Sequence, residues 1–211
     1  MRTIDTADDV AEALNALGRA EPRFAAIAET TGLPGVRRAI GGLAGLLRIV
    51  TEQQISLAAG AAIWQRLEDR LAPFEAARLL AASDETLRAC GLSAGKVRTL
   101  RAVAGAVAAG SLDFRRIGSL PDDEAGAMLT AVHGVGPWTA DIYLLSCLGR
   151  PDVWPVGDLA LRAAAAAAFG LAERPTAVEL RHLAEPWRPW RAVAARLLWA
   201  HYRHFNGLPA A

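Results

Sequence analysis

Residues 129–140 read Leu-Thr-Ala-Val-His-Gly-Val-Gly-Pro-Trp-Thr-Ala, and this stretch decides the fold. The pattern predicts a helix that ends near Val132, a tight turn through His133-Gly134-Val135-Gly136, and a new helix that Pro137 begins. Glycine tolerates positive φ and has no side chain, so main-chain N–H groups in such a turn can approach a ligand closely. Those amides and the dipole of the second helix suit a phosphate and read no base sequence. The turn is therefore either a plain helix–helix connection or a phosphate site.

The rest of the chain favours an all-helical fold. Alanine occurs 46 times and leucine 28 times in 211 residues, against 30 for Val, Ile and Thr together. Alanine and leucine are strong helix formers, whereas β-branched residues favour strands. Periodicity and helix-end signals predict helices over 6–17, 21–31, 36–48, 54–71, 74–81, 84–89, 94–109, 122–132, 137–148, 158–169, 176–184 and 190–203.

Charge and cysteine content exclude several classes of protein. The formal net charge is +1, which argues against a protein that binds polyanions non-specifically over its whole surface. Two cysteines, Cys90 and Cys147, are too few for a disulfide framework or a four-thiolate cluster. No apolar stretch is long enough for a membrane span, and the N-terminus does not resemble a signal peptide. We expect a cytoplasmic protein. Lys96 is the only lysine, so lysine chemistry has one candidate.

A second informative segment follows the hairpin, at 151–162: Pro-Asp-Val-Trp-Pro-Val-Gly-Asp-Leu-Ala-Leu-Arg. Asp158 follows a Pro-Val-Gly turn and opens the alanine-rich helix, where an aspartate most often serves as an N-cap. A helix N-terminus also stabilises the ionised carboxylate. Such a carboxylate can stabilise positive charge on a sugar ring or orient water toward its anomeric carbon.

Three more motifs flank these segments: Thr51-Glu52-Gln53-Gln54-Ile55-Ser56, then Gly91-Leu92-Ser93 with Lys96-Val97, then Trp187-Arg188-Pro189-Trp190-Arg191 with Leu198-Trp199. With the hairpin and the aspartate, they resemble the helix-hairpin-helix DNA glycosylase superfamily, and within it the 3-methyladenine DNA glycosylase II branch. The matches run in family order over about residues 40–205. The resemblance implies two helical lobes around a cleft, without an iron–sulfur cluster or a β-rich N-terminal domain. We expect one glycosylase domain over 1–211: a lobe at 36–120, and a hairpin and catalytic lobe at 121–211 joined by the helices of 1–35.

The resemblance also implies roles for individual residues. Asp158 matches the catalytic aspartate, whereas Gly157 stands where some members have a second acid. Asp141 is the alternative candidate for the catalytic carboxylate, and we interpret it as an acid that supports the site or lies at the surface. Members that also cut the strand have a lysine at the position of Trp138. We therefore expect a monofunctional enzyme that leaves an abasic site.

Substrate contacts follow from the same resemblance. Trp138, Trp199, Ile142 and Tyr143 would line the base pocket, where an indole face attracts a cationic alkylated purine. The hairpin residues His133, Gly134, Val135, Gly136 and Thr139 would contact the DNA backbone. Gln53 and Gln54, at the start of the 54–71 helix, would fill the gap that a flipped nucleotide leaves; simple helix capping is the alternative.

No cofactor is expected beyond a structural Na+ or K+, which the resemblance places on main-chain carbonyls near Thr130, Val132 and Val135. The expected partner of this monomer is double-stranded DNA with alkylated bases, in association with the nucleoid. The expected activity is excision of 3-methyladenine or 7-methylguanine type bases. Two alternatives stay open: a glycosylase for a neutral lesion such as hypoxanthine or uracil, and a non-catalytic helix-hairpin-helix module that binds DNA.

Overall fold

The computed structural model describes residues 2–36 and 38–208, and in that part of the chain every regular element is helical. One 3-10 turn, Glu185–Trp187, accompanies the α-helices. In chain order these are α1 Ala7–Ala20, α2 Arg23–Thr31, α3 Gly42–Glu52, α4 Leu57–Leu71, α5 Ala76–Ala81, α6 Asp84–Ala89, α7 Ala94–Ala108, α8 Phe114–Ser119, α9 Asp122–Thr130, α10 Pro137–Ser146, α11 Leu159–Phe169, α12 Ala177–Leu183 and α13 Arg191–Phe205. The expected all-α fold is confirmed.

The helices form two units that differ from the expected division. One, the central unit, is Ala39–Leu148; the other, the terminal unit, joins the described residues up to Arg38 with those from Gly149 onward. The hairpin therefore belongs with 39–120 and not with the segment that contains Asp158. Two hydrogen bonds explain this grouping. The N–H of Ala39 donates to Ser146 O at 2.9 Å, and the N–H of Gly42 donates to the Tyr143 hydroxyl at 2.8 Å. These bonds attach α10 to the start of α3.

The central unit has a core of aliphatic side chains drawn from most of its helices. α3 packs against α4, α7 and α10, and α9 packs against α10. The fully buried residues at these contacts include Leu46, Leu47, Leu100, Leu129 and Leu144. α7 therefore lies beside α3, the helix that precedes the Gln53-Gln54 segment.

The terminal unit is organised around aromatic rings. Phe24 and Trp154 make edge-on contacts with Trp187, with ring centroids 4.9 and 5.4 Å apart. Trp154 and Trp187 are buried. Arg191 adds a polar tie: it donates to both carboxylate oxygens of Asp152, at 2.8 and 3.0 Å, and to the Asp152 carbonyl at 2.7 Å. Together these contacts fix the segment leading to Asp158 against the start of α13.

Helix boundaries differ from the predictions at functionally relevant places. The helix expected at 36–48 runs instead from Gly42 to Glu52, and the one expected from residue 54 begins at Leu57, because Ser56 is its N-cap. Gln53 and Gln54 thus lie in a loop and not at a helix start. α8, a six-residue helix capped by Asp113, was not predicted. Gly118, a poor helix former, lies inside this segment, whereas the predicted six-residue helix Asp84–Ala89 contains no glycine.

Candidate functional site

The hairpin has the predicted geometry. α9 ends at Thr130, α10 begins at Pro137, and Gly134 has φ +83°. A Cβ on Gly134 would lie 2.0 Å from Thr99 Oγ1, so only glycine fits against α7 there. Among the described residues, the N–H groups of Gly134 and Gly136 donate to no main-chain acceptor. Gly134 and His133 are exposed. The turn therefore presents unused amides at a helix N-terminus, which is what an anion requires.

Two hairpin residues do not face outward as expected. The side chain of Val135 is buried, and its N–H donates to Val132 O at 3.0 Å inside the turn. Thr139 is buried too, and its hydroxyl accepts a hydrogen bond from Gln53 Nε2. The side chains of both residues therefore have structural roles within the central unit, and their expected contacts with a DNA backbone stay predictions. Helical periodicity places Thr139 on a face of α10 but does not reveal what packs on that face.

The loop between α3 and α4 exposes Gln54. Gln54 has φ +56°, the only positive φ of a non-glycine residue in the described part of the chain. The preceding Gln53 is half-buried and points to Thr139, so it does not project into solvent as a plug would. Of the two predicted plug residues, only Gln54 is exposed, and its role as a plug stays a prediction. Leu57, at the start of α4, is 75% exposed close to it in sequence.

Lys96 holds this loop from α7. Its ammonium donates to Thr51 O at 2.7 Å and to Gln53 O at 2.8 Å. Burial lowers the pKa of Lys96 from its ordinary value. The only lysine of the chain is therefore engaged with main-chain carbonyls of the central unit.

The predicted base-pocket residues on α10 divide into two groups. Trp138 and Ile142 are half-exposed. Tyr143 has no exposed surface, accepts the N–H of Gly42, and has a pKa raised by burial. Tyr143 therefore cannot line a pocket, and that prediction is corrected: it lies next to Ile142 in sequence but on the inner face of α10. Asp141, the rival carboxylate, is on α10 in the central unit and half-buried.

Asp158 is the N-cap of α11. Its Oδ1 accepts the N–H of Leu161 at 2.8 Å and the indole N–H of Trp199 at 3.1 Å. Asp158 is half-buried, and Gly157 before it is exposed with open space around its Cα. Both hydrogen bonds fix the orientation of the carboxylate. Asp158 and Trp199 are thus brought together within the terminal unit, 41 residues apart in sequence.

The alanine-rich sequence of α11 explains why Trp199 reaches Asp158. α11 packs against α13, and both helices have buried alanines, Ala164 and Ala165 on α11 and Ala194 and Ala195 on α13. Small side chains allow helix axes to approach closely.

Trp199→Phe is expected to lower glycosylase turnover at least about tenfold, because a hydrogen bond to a charged group contributes about 1.5 kcal/mol or more. Phenylalanine keeps the apolar contacts of the ring but loses the N–H that Asp158 accepts. Trp64→Phe is the matched control: Trp64 is buried in the central unit and its Nε1 has no hydrogen-bond partner. The measurement is the single-turnover rate of base release. If Trp199→Phe kept the wild-type rate, as Trp64→Phe should, this role of Trp199 would be contradicted.

The predicted cation site would use main-chain oxygens. Within residues 2–36 and 38–208, no group of three or more His, Cys, Asp or Glu side chains is placed to hold a metal ion. Main-chain carbonyls are suitable oxygen donors for a monovalent cation. Val132 O already accepts the N–H of Val135 and has one lone pair left. The cation site that the resemblance implies on the hairpin carbonyls stays a prediction.

None of the helices in the described part of the chain combines the length and the hydrophobicity needed to cross a bilayer.

The structure divides the predicted site residues between the two units. The hairpin, Gln53, Gln54, Trp138 and Ile142 belong to the central unit, whereas Asp158 and Trp199 belong to the terminal unit. Two supporting contacts were not predicted: that of Lys96 with the carbonyls before Gln54, and that of Arg191 with Asp152. Lys96 and Arg191 both lie in motifs identified in the sequence. A motif does not show which carbonyl or carboxylate a long cationic side chain reaches.

Comparisons with known proteins agree with this geometry. The profile described as "HhH-GPD superfamily base excision DNA repair protein" matches residues 47–189. In Schizosaccharomyces pombe, the alkylbase DNA glycosidase-like protein mag2 is 31% identical over 74% of this chain and 75% of its own length. DNA-3-methyladenine glycosylase 1 of the same organism is 32% identical over 73% and 69%.

A solved structure is similar over most of the chain. The Schizosaccharomyces pombe 3-methyladenine DNA glycosylase Mag1, in complex with abasic DNA, superposes with a TM-score of 0.83 at 27% identity, over 89% of this chain and 95% of that one. The profile match covers more than half of the 211 residues and includes the hairpin and Asp158. The chain therefore belongs to the HhH-GPD superfamily of base excision DNA repair proteins.

Proposed function

We propose that the protein is a DNA glycosylase that excises alkylated purines, of the 3-methyladenine and 7-methylguanine type, and leaves an abasic site. The observation that carries the proposal is the Asp158 carboxylate, which caps α11 and accepts the indole N–H of Trp199. The names of the two yeast relatives, which refer to alkylbase and 3-methyladenine excision, support this substrate class.

Asp158 acts on charge that develops in the sugar. In the hydrolysis, a water oxygen bonds to C1′ and the bond from C1′ to the base nitrogen breaks. The base leaves with the bonding electron pair, and the water releases one proton. Positive charge grows on the sugar ring as the bond lengthens, and a fixed carboxylate stabilises it. An alkylated purine is already cationic and departs as a neutral base, so it needs little help from a general acid.

The hairpin and the half-exposed ring of Trp138 would supply binding. The free N–H groups of Gly134 and Gly136 suit one phosphate of double-stranded DNA, a contact that is independent of base sequence. The indole face of Trp138 can stack on a base and attracts a cationic one. Acting as a monomer on DNA, the protein would work in the cytoplasm at the nucleoid. A Na+ or K+ on the hairpin carbonyls would rigidify the turn, and no chemical step depends on it.

The proposal is tested by release of methylated bases from DNA treated with a methylating agent. We expect 3-methyladenine and 7-methylguanine in the supernatant, separated by chromatography, and no release of uracil or hypoxanthine from matched duplexes. A protein that binds the methylated duplex but frees no base would be a binding module, and the proposal would then be wrong.

Strand cleavage gives a second test, because the position that would carry a Schiff-base lysine is Trp138 and Lys96 is engaged with main-chain carbonyls. We expect no covalent protein–DNA adduct when borohydride is added during turnover, and an intact strand until alkali is applied. A bifunctional glycosylase serves as the positive control. A trapped adduct that disappears in Lys96→Met would contradict the monofunctional assignment.

A further inference from the structure

The loop that carries Gln54 is held by one cationic side chain. α3 ends at Glu52, and its last carbonyls have no partners within the helix. The Lys96 ammonium donates hydrogen bonds to two carbonyls at this end, Thr51 O at 2.7 Å and Gln53 O at 2.8 Å. These contacts lie on both sides of the helix terminus and directly before Gln54. Lys96 therefore determines how the chain leaves α3.

A second contact restrains the same loop from the hairpin side. Gln53 Nε2 donates to the buried hydroxyl of Thr139 on α10. Gln53 is thus fixed twice, through its carbonyl to Lys96 and through its side chain to Thr139. The next residue, Gln54, has φ +56° and is exposed. A non-glycine residue keeps such a backbone only where its surroundings impose it.

α7 connects these contacts to the hairpin turn. Lys96 lies in the first turn of α7, and Thr99 lies one turn further on, against Gly134. The same helix therefore holds the loop through an ammonium and sits against the hairpin through a threonine. Within the central unit, α7 therefore contacts both the hairpin turn and the loop that carries Gln54.

We propose that Lys96 is a positioning residue for base extrusion: its ammonium fixes the main chain at Thr51 and Gln53 so that Gln54 is ready to fill the gap left by a flipped nucleotide. The inference rests on the proposed function. Lys96 itself touches neither substrate nor reacting atoms. Its effect is therefore confined to substrates in which a base must leave a stack.

The test compares two substrates with one enzyme. We expect Lys96→Met to slow release of 3-methyladenine from duplex DNA about tenfold, on the scale of a lost charged hydrogen bond, and to leave release from single-stranded DNA within about twofold. Lys96→Gln, which keeps one donor, should fall between wild type and Lys96→Met. If the melting temperature of Lys96→Met is too low for the assay, Lys96→Gln takes its place in the comparison. Equal slowing on both substrates would overturn the proposal.

Arg101 provides the matched control. It lies on α7 as Lys96 does, and its guanidinium also donates to main-chain carbonyls at a helix end, Leu79 O at 2.7 Å and Leu80 O at 2.9 Å. Arg101→Met should lower the melting temperature without changing the ratio of duplex to single-strand rates. A changed ratio in Arg101→Met would show that general loosening of α7 is enough, and would count against Lys96.

A double-mutant cycle links Lys96 to Gln54. If Lys96 acts through Gln54, then Lys96→Met slows duplex cleavage in the wild-type background but adds less than about twofold in Gln54→Ala. Full additivity of the two effects would contradict this connection.

A binding experiment separates the inference from the proposed function. The probe is a duplex with a stable abasic analogue opposite 2-aminopurine, whose fluorescence reports stacking without any catalysis. At saturating protein, wild type and Arg101→Met should change the fluorescence, and Lys96→Met and Gln54→Ala should change it less. Absence of base release with this pattern intact would refute only the glycosylase. An unaltered signal in Lys96→Met would refute the positioning role.

Discussion

Asp158→Asn is expected to lower the rate of base release at least ~100-fold, the scale on which enzymes lose activity when an electrostatic group of the site is removed. Asparagine is as good an N-cap as aspartate and keeps an oxygen for the N–H of Leu161. The fold of α11 should therefore persist, and the loss would come from the missing charge. Single-turnover release of 3-methyladenine from duplex DNA measures the effect, with circular dichroism melting as the check on folding.

Asp113→Asn makes the same exchange at another helix start. Asp113 caps α8 and accepts the N–H of Arg115 at 2.9 Å, but lies in the central unit. This variant should release base at the wild-type rate. Near-wild-type release by Asp158→Asn would remove Asp158 from the mechanism and leave it as a cap.

Gly134→Ala is the change with the next largest expected effect. The added Cβ would lie 2.0 Å from Thr99 Oγ1, at a residue whose φ is +83°. Strain and overlap together should lower the free energy of unfolding by about 3 kcal/mol and the melting temperature by roughly 10 °C. Because either α7 or the hairpin must shift, the affinity for duplex DNA should also fall. Thermal melting and fluorescence anisotropy with an abasic duplex measure the two effects.

Gly110→Ala separates backbone strain from overlap. Gly110 has φ +72°, and a Cβ there would meet nothing within 4 Å. Its cost should be limited to about 1 kcal/mol from the left-handed backbone, with unchanged DNA affinity. Partial restoration of Gly134→Ala by Thr99→Ala would identify the overlapping atoms. If Gly134→Ala melted no lower than Gly110→Ala, the packing of the turn against α7 would be contradicted.

The sequence was sufficient for features governed by short-range rules. The hairpin is recognisable because glycine, proline and helix-end preferences act over a few residues, and Asp158 as an N-cap follows from the same rules. Trp154 and Trp187 are buried as expected from the size and hydrophobicity of tryptophan.

Side-chain direction and long-range contacts could not be predicted in this way. Thr139 and Tyr143 are on α10 as expected, but their partners Gln53 and Gly42 are 86 and 101 residues away. The grouping of the hairpin with 39–120 depends on these same contacts. The carbonyls that Lys96 reaches belong to the end of α3, a helix that ends four residues later than predicted. The later start of α4, at Leu57, places the predicted plug in a loop and not at a helix start.

The buried alanines of α11 and α13 have a consequence for how the Asp158 carboxylate is held before the reaction. An alanine methyl has no rotamers, so helices that meet through alanines lose no side-chain entropy on packing and have no alternative arrangement of those side chains to sample. Buried alanines on both helices therefore leave few alternative side-chain arrangements between them. The 3.1 Å hydrogen bond between Asp158 and Trp199 exists before DNA binds. A carboxylate held in this way needs little reorganisation during the reaction.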